Sequence, residues 1–365
     1  MKRKLFVFAV VAIMLLSTVA LASANEVEAL IAAAKAEGKL VVYSVTSRIH
    51  LAAEAFEAKY GIEVEEHRLS EIELVERVYQ EARAGVDNVD IVLIEDYPSI
   101  KELLINPGYL QNYVPPSAIE AVPAEYHDPL VFAYISRITG YNTEVYAEDP
   151  FDSIWDLTAP EFRGRVMMRD VAITGEHQNA LTELIRRSDE IEAEYERRFG
   201  EKLVLREENA GLEFLRRLIE NDLILMTSDT RISEAVGMKG QEDPPFGFYY
   251  VYSKHRDIPN KDLALDVSTN IKPFLGYYYG MYVQLATKAQ NSNAAKLFAH
   301  YLMTPEGYEP WSSEVGFYSM NKNVEPHPDD RPWEWWKERL WTYDPDFAIA
   351  NRGKVLDTWI RSVVQ

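Results

Sequence analysis

The fold class is decided by the stretch LVVYSVTSRIHLAAEAFEAKYGIEVE (Leu40–Glu65). Together with Lys39, its first six residues form a short apolar run, which predicts a buried strand. An amphipathic helix follows and ends at Gly61, because glycine adopts the left-handed conformation that often terminates a helix. The next segment, IEVEEHRL (Ile62–Leu69), alternates in the manner of a second strand. The stretch therefore predicts a strand–helix–strand unit.

The same alternation continues along the chain. We predict a helix over Glu71–Ala84 and an apolar strand over Val89–Asp96. Further strands are predicted at Leu130–Asn142, Gly164–Asp170, Leu223–Thr230 and Gly280–Lys288, with helices between them. Apolar strands that alternate with helices are typical of an α/β fold built on a parallel sheet.

The N-terminus has the features of a secretory signal peptide. Three basic residues precede an uninterrupted apolar run, Leu5–Leu16, and small residues follow in two overlapping A-x-A sites that end at Ala24. This pattern predicts cleavage after export, since a membrane-spanning helix needs a longer apolar stretch. We therefore expect residues 1–24 to be a signal peptide and the mature chain to be periplasmic or extracellular.

The composition excludes several classes of protein. The chain contains no cysteine, so disulfides, thiolate metal sites and cysteine nucleophiles are ruled out. Its net charge is −20, and loss of residues 1–24 would remove three positive charges and no negative ones. Such acidity argues against nucleic acid and anionic membranes as partners. The length of 365 residues suggests two lobes rather than a single core.

No enzyme motif stands out. The sequence has no G-x-S-x-G, no H-E-x-x-H and no P-loop, and its seven histidines never occur at i, i+4 spacing. A glycosidase with two carboxylates has no local motif, and nothing in the sequence points to one. A structural adhesin would be rich in strands and repetitive. We therefore expect a binding protein and not an enzyme, with a secreted hydrolase as the distant alternative.

Four segments carry a resemblance to a known family. They are Leu40–Glu65, Val89–Ile100, Gly140–Asp170 and Asn291–Trp311. In this order they resemble periplasmic solute-binding proteins of ABC importers, in the branch that includes ferric-iron-binding proteins. The resemblance implies a two-lobed fold of the second periplasmic-binding-protein class, with a ligand cleft between the lobes and two strands that cross from one lobe to the other.

The resemblance also implies an organisation and a set of partners. The first lobe would comprise residues 25–135 and about 270–320, and the second lobe residues 136–269. Residues 321–365, rich in Pro and Trp, would form a helical wrap on the surface. The loaded protein, expected to be a monomer, would close by a hinge motion and dock on a membrane permease coupled to an ATPase.

Loops that follow strands are the candidate ligand contacts, because ligands of open α/β sheets bind outside the carboxyl ends of the strands. Thr46 and Ser47 follow the first strand, where iron-binding relatives have a histidine ligand; Ser47 could equally cap the next helix. Glu95 stands where some of these relatives place a carboxylate ligand. Thr174 and Gly175 precede a helix whose N-terminus could bind an anion.

Two segments compete for the position of the paired tyrosines of iron-binding relatives. One is the polar loop Thr227-Ser228-Asp229-Thr230, and the other is Tyr249-Tyr250 in the segment FGFYYVY. Neighbouring residues of a regular strand point to opposite faces, so both tyrosines could bind a metal ion only at a strand end or in a loop. Tyr278, in a second tyrosine cluster, could line the pocket with an aromatic wall.

The cargo predicted first is ferric iron, bound by Glu95, Tyr249 and Tyr250 with a synergistic anion at Thr174-Gly175. Hard anionic oxygens suit this ion, which would be cargo rather than a cofactor. The alternative is a small organic solute, such as a polyamine, a phosphonate or a sugar phosphate. It would be held by Thr46, Ser47, Thr174, Asp229 and aromatic residues.

Overall fold

The computed structural model describes residues 25–364, so the predicted signal peptide lies outside the described residues. Eleven strands lie in this part of the chain. They are β1 Lys39–Ser44, β2 Glu63–Arg68, β3 Ile91–Ile94, β4 Leu110–Gln111, β5 Val131–Asn142, β6 Val166–Arg169, β7 Ile224–Met226, β8 Phe246–Val251, β9 Leu265–Val267, β10 Gly276–Ala286 and β11 Phe317–Ser319.

Helices of very different length connect the strands. They are α1 (residues 25–37), α2 Ile49–Tyr60, α3 Glu71–Ala84, α4 Tyr97–Ile100, α5 Pro116–Ala121, α6 Gly175–Arg186, α7 Ser188–Phe199, α8 Ala210–Glu220, α9 Asp229–Gly237, α10 Ile258–Lys261, α11 Ser292–Leu302, α12 Pro305–Tyr308, α13 Trp333–Lys337 and α14 Pro345–Val364. In residues 25–364 no helix combines the length and the apolar character that crossing a bilayer requires.

The main path of the sheet runs β2-β1-β3-β10-β5-β8-β6-β7. At each end three strands are parallel to one another, β2-β1-β3 in what we term the first lobe and β8-β6-β7 in the second lobe. Between them, the long strands β10 and β5 pair antiparallel with each other and with both sets. The predicted parallel sheet is therefore correct for the lobes, while the centre is antiparallel.

Local signals in the sequence explain where the helices begin and end. Helix α3 has the predicted bounds because Ser70 and Glu73 form a capping box at its start, and Gly85 adopts the left-handed conformation after its end. Helix α2 ends in the same way at Gly61. The strands β1, β3 and β5 are almost wholly buried, as their apolar sequences require.

The C-terminal helix α14 is the longest in the described chain, and it packs against both lobes. It lies on α6 and α8 of the second lobe and reaches α4, which follows β3 of the first lobe. Arg352 donates hydrogen bonds to Ser99 and Glu102 beside α4, and Trp359 donates one to Asp170 of the second lobe. A helix is thus present within the predicted wrap, while the predicted lobe boundaries remain a prediction.

Candidate functional site

A cavity of about 510 Å³ lies where the carboxyl ends of the parallel strands of both lobes meet. Five of these six strands contribute their last residue or the loop that follows, and the sixth, β7, leads to the lining residue Asp229 at the start of α9. The lining residues of the first lobe are Val45, Thr46, Ser47, Arg48, Arg68, Leu69, Ser70, Glu71, Glu73 and Glu95, and those of the second are Arg169, Ile173, Thr174, Asp229, Val251, Ser253, Lys254 and Arg256. The topology itself therefore creates the cavity.

The two crossing strands form the floor of the cavity. Strand β5 contributes Ile135 and Arg137, and β10 contributes Tyr279 and Met281. These residues alternate along each strand, so they share one face of the sheet. The segment around β11 closes one side with Trp311, Glu314 and Phe317.

Arg137 is the centre of a buried charge cluster. Its Nη1 donates a hydrogen bond to Asp229 Oδ1 at 2.8 Å, and its Nε lies 3.1 Å from Glu176 Oε2. Arg169 reaches the second oxygen of Asp229 at 3.2 Å. Burial alone would raise the pKa of Asp229, but the two guanidinium groups hold it down to about 2. Asp229 is thus ionised and binds the two arginines together.

A second cluster joins the lobes at another edge of the cavity. Arg48, which follows β1, donates to Glu314 Oε1 at 2.8 Å through Nε. Arg256 of the second lobe donates to the other oxygen of the same carboxylate. Glu314 is buried while both arginines are partly exposed. One carboxylate therefore pairs with guanidinium groups from opposite lobes, and the three side chains together keep a net charge of +1.

The N-terminus of α6 contacts carboxylates of the first lobe. Glu71 Oε2 accepts a hydrogen bond from the backbone N–H of Glu176 at 3.1 Å. Asp96 Oδ1 accepts one from Asn179 Nδ2 at 2.6 Å, and its Oδ2 lies so close to Gly175 that a Cβ there would overlap it. The position where the sequence predicts a bound anion is therefore filled by the protein's own acidic side chains. These contacts also connect the two lobes directly.

The two tyrosines predicted to bind iron do not line the cavity. Tyr249 has a positive φ of 55° and Tyr250 continues β8, yet both side chains are fully buried. The Tyr249 hydroxyl donates to Glu176 Oε1 at 2.7 Å, and the Tyr250 hydroxyl bonds His255 Nε2 at 2.8 Å. Burial raises the pKa of both phenols well above their usual value. Both are buried phenols whose hydroxyl groups have partners inside the core, so the structure does not bring them together with Glu95 in the cavity.

The other predicted residues divide into two groups. Tyr278 lies away from the cavity, because it packs edge-on against Tyr134 and Trp333 on the opposite side of β10. Within the Thr227–Thr230 loop, only Asp229 lines the cavity. Thr46, Ser47, Glu95 and Thr174 line it as well, whereas Gly175 lies behind Thr174 against Asp96. Ser47 does not cap α2, whose start has no side-chain cap.

Sequence reasoning missed most of the charged residues of the site. These are Arg48, Arg68, Glu71, Glu73, Arg137, Arg169, Lys254, Arg256 and Glu314. One signal was available: Arg137 is the only charged residue of the otherwise uncharged 12-residue strand VFAYISRITGYN. A lone arginine in a buried strand needs an acidic partner, which marks a polar site.

The model of the bacterial extracellular solute-binding protein family matches residues 52–339. The chain belongs to this family. No protein with a curated description matches the sequence. The family consists of binding proteins and not of enzymes, which supports the role of the solute-binding component of an ABC transporter.

Solved structures show the same fold. Iron-bound HitA from Pseudomonas aeruginosa is similar with a TM-score of 0.70 and 16% identity, over 89% of this chain and 99% of that protein. AfuA from Actinobacillus pleuropneumoniae, with fructose-6-phosphate bound, has a TM-score of 0.68 and 18% identity, over 89% of this chain and 98% of that protein. The ferric binding protein from Campylobacter jejuni has a TM-score of 0.66 and 17% identity, over 88% of this chain and 99% of that protein. The predicted periplasmic-binding-protein fold is thus confirmed.

Glu95 makes the stability of the protein depend on pH. Burial raises the pKa of its carboxyl to about 7, against the opposing effect of Arg137. The unfolded chain releases this proton near pH 4.3, so between about pH 4 and pH 7 the folded state binds one more proton, and Glu95 lowers stability as the pH rises. We expect Glu95→Gln to increase the free energy of unfolding by up to about 3 kcal/mol above pH 7 and to have little effect at pH 4.

The measurement is a series of urea titrations across this pH range, with Glu73→Gln as the matched control. Hydrogen bonds from Ser70 lower the pKa of Glu73, so its contribution is present at neutral pH and is lost as the pH falls. Glu73→Gln should therefore lower stability at neutral pH, the opposite sign. A loss of stability in Glu95→Gln above pH 7 would show that Glu95 is stabilised as an anion.

Proposed function

We propose that this protein captures a small organic solute with an anionic group, outside the cytoplasmic membrane, and delivers it to an ABC permease and its ATPase. The observation that carries the proposal is the set of basic side chains around a cavity of organic-solute size. Six basic side chains line it beside five acidic ones, although the chain as a whole carries a net charge of −20. The basic ones are Arg48, Arg68, Arg137, Arg169, Lys254 and Arg256. Basic groups in a cleft raise the local concentration of anions.

The volume of the cavity also supports a small organic solute. Pockets for small organic ligands have volumes of about 300–1,000 Å³, and the cavity of about 510 Å³ falls within this range. Hydroxyl groups of Thr46, Ser47, Ser70 and Ser253 line it beside the charged groups and suit polar solutes. Phosphate, phosphonate or carboxylate groups match the guanidinium and ammonium donors.

Ferric iron has less support as the cargo. The site predicted for it needs phenol oxygens, but those of Tyr249 and Tyr250 are engaged in hydrogen bonds within the core. Among residues 25–364, no three His, Asp or Glu side chains are grouped so as to hold a metal ion. We also propose that the protein is exported by means of its signal peptide and acts as a monomer.

Calorimetric titration with ethyl phosphate and propionate tests the proposal, with ferric citrate followed by visible absorbance. We expect one of the anions to bind and Lys254→Met to weaken it about tenfold or more, because a hydrogen bond to a charged group contributes about 1.5–3 kcal/mol. Lys261→Met is the control, since Lys261 lies outside the cavity and pairs with Glu234. Coloured ferric binding without anion binding would overturn the proposal.

A further inference from the structure

Two side chains of opposite charge face the cavity without a partner. Within residues 25–364, neither the Glu95 carboxylate nor the Lys254 ammonium group makes a hydrogen bond or an ion pair. Other charged groups of the cavity have partners: Arg48 and Arg256 share Glu314, and Arg137 and Arg169 share Asp229. The lining carboxylates of Glu71 and Glu73 accept hydrogen bonds. Arg68 has no ion pair with the described residues either, but it is exposed at the rim. Among the lining charged groups that are not fully exposed, Glu95 and Lys254 are thus the two, one of each sign, that make neither kind of contact within residues 25–364.

Their surroundings make these charges costly. Burial raises the pKa of Glu95, and burial together with the nearby Arg256 lowers the pKa of Lys254. Both pKa shifts go towards the neutral form, because the loss of water outweighs the effect of opposite charges that make no direct contact, such as Arg137 for Glu95 and Asp229 for Lys254. A bound group of opposite charge would restore each ionised form and gain a charge-assisted hydrogen bond.

The two groups cannot neutralise each other in this structure. Glu95 follows β3 in the first lobe, and Lys254 follows β8 in the second. They line the same cavity but form no ion pair within 4.0 Å. A single solute that satisfies both must therefore carry two charges of opposite sign and extend from one lobe to the other.

We infer that the solute is an amino-bearing anion, whose ammonium group binds Glu95 and whose phosphate, phosphonate or carboxylate group binds Lys254. This inference rests on the proposed function and narrows its solute class. The ammonium donates hydrogen bonds to the carboxylate, and the anionic group accepts them from the lysine. Because each pole contacts a different lobe, the dipolar solute also bridges the cleft and favours its closure.

Two matched pairs of probes test the inference in calorimetric titrations near pH 8. They are O-phosphoethanolamine with ethyl phosphate, and β-alanine with propionate. We expect at least one amino-bearing probe to bind about tenfold tighter than its partner without the amine. Glu95→Gln should abolish that preference, since a neutral amide cannot pair with an ammonium, while Lys254→Met should weaken both members of the pair. Melting temperatures report whether the variants fold.

The outcomes separate this inference from the proposed function. If the anions bind equally well with and without the amine, the inference fails and the proposed function stands. If the preference survives in Glu95→Gln, the ammonium binds elsewhere and the role of Glu95 is wrong. If no anion binds to the folded protein, or if ethylamine binds as tightly as the amino-bearing anions, both proposals fail.

Discussion

Replacing Arg137 by methionine is expected to lower the free energy of unfolding by about 3–5 kcal/mol, the cost of breaking a buried ion pair by removing one partner. The variant leaves Asp229 with Arg169 alone and Glu176 with no guanidinium group. Both carboxylates are buried, so water cannot replace the lost partner. Urea titrations followed by tryptophan fluorescence and circular dichroism measure the loss, and agreement of the two probes checks two-state unfolding.

Arg163→Met is the control for this prediction. Arg163 pairs with Asp222, but both side chains are more than half exposed, so the loss should be below about 1 kcal/mol. The double variant Arg137→Met/Asp229→Asn should recover part of the stability, because it also removes a buried charge. Equal losses in Arg137→Met and Arg163→Met would mean that the buried cluster contributes no more than a surface pair.

Replacing Gly175 by alanine is expected to open the cleft. The new methyl group would overlap the Asp96 carboxylate, which cannot move freely because Asn179 and the backbone N–H of Ser99 hold it. Overpacking costs about 1–3 kcal/mol, which shifts the ratio of closed to open molecules about 5- to 150-fold. The affinity for any solute bound by both lobes should fall with the closed fraction.

The absence of native cysteine makes this prediction directly measurable. Spin labels at Glu76→Cys on α3 and Ala193→Cys on α7 report the distance between the lobes by pulsed electron paramagnetic resonance. Gly175→Ala should shift this distance to longer values without a lower melting temperature, because alanine favours a helix more than glycine does. Gly353→Ala is the control, since no atom lies within 4 Å of the added Cβ. An unchanged distance in Gly175→Ala would contradict the expectation.

Much of the fold could be predicted because its signals are local. The start and end of α3 depend on Ser70, Glu73 and Gly85, which are neighbours in sequence and act through backbone hydrogen bonds. The apolar runs of β1 and β3 likewise reveal buried strands. The antiparallel centre could not be predicted in this way, because β5 and β10 lie more than 130 residues apart and their pairing depends on the fold of both lobes.

The site was predictable only in part, for the same reason. The rule that ligands lie beyond strand ends selected Thr46, Ser47, Glu95, Thr174 and Asp229, all of which line the cavity. It could not locate Glu314, which joins the site from a distant segment. It could not decide where Tyr249 and Tyr250 lie, because a tyrosine pair has the same sequence whether it faces a cleft or, as here, is buried in the core.

By itself, the sequence determined the α/β class, the order of the main strands and helices and the lack of cysteine chemistry. It also selected candidate loops for a ligand. These properties depend on composition and on the spacing between residues that are close in sequence. Only the tertiary structure decided which charges compensate each other. Charge pairing depends on distances of a few ångströms between residues up to about 270 positions apart, as for Arg48 and Glu314. Within residues 25–364, Glu95 and Lys254 have no ion pair for that reason, and the kind of solute is inferred from them.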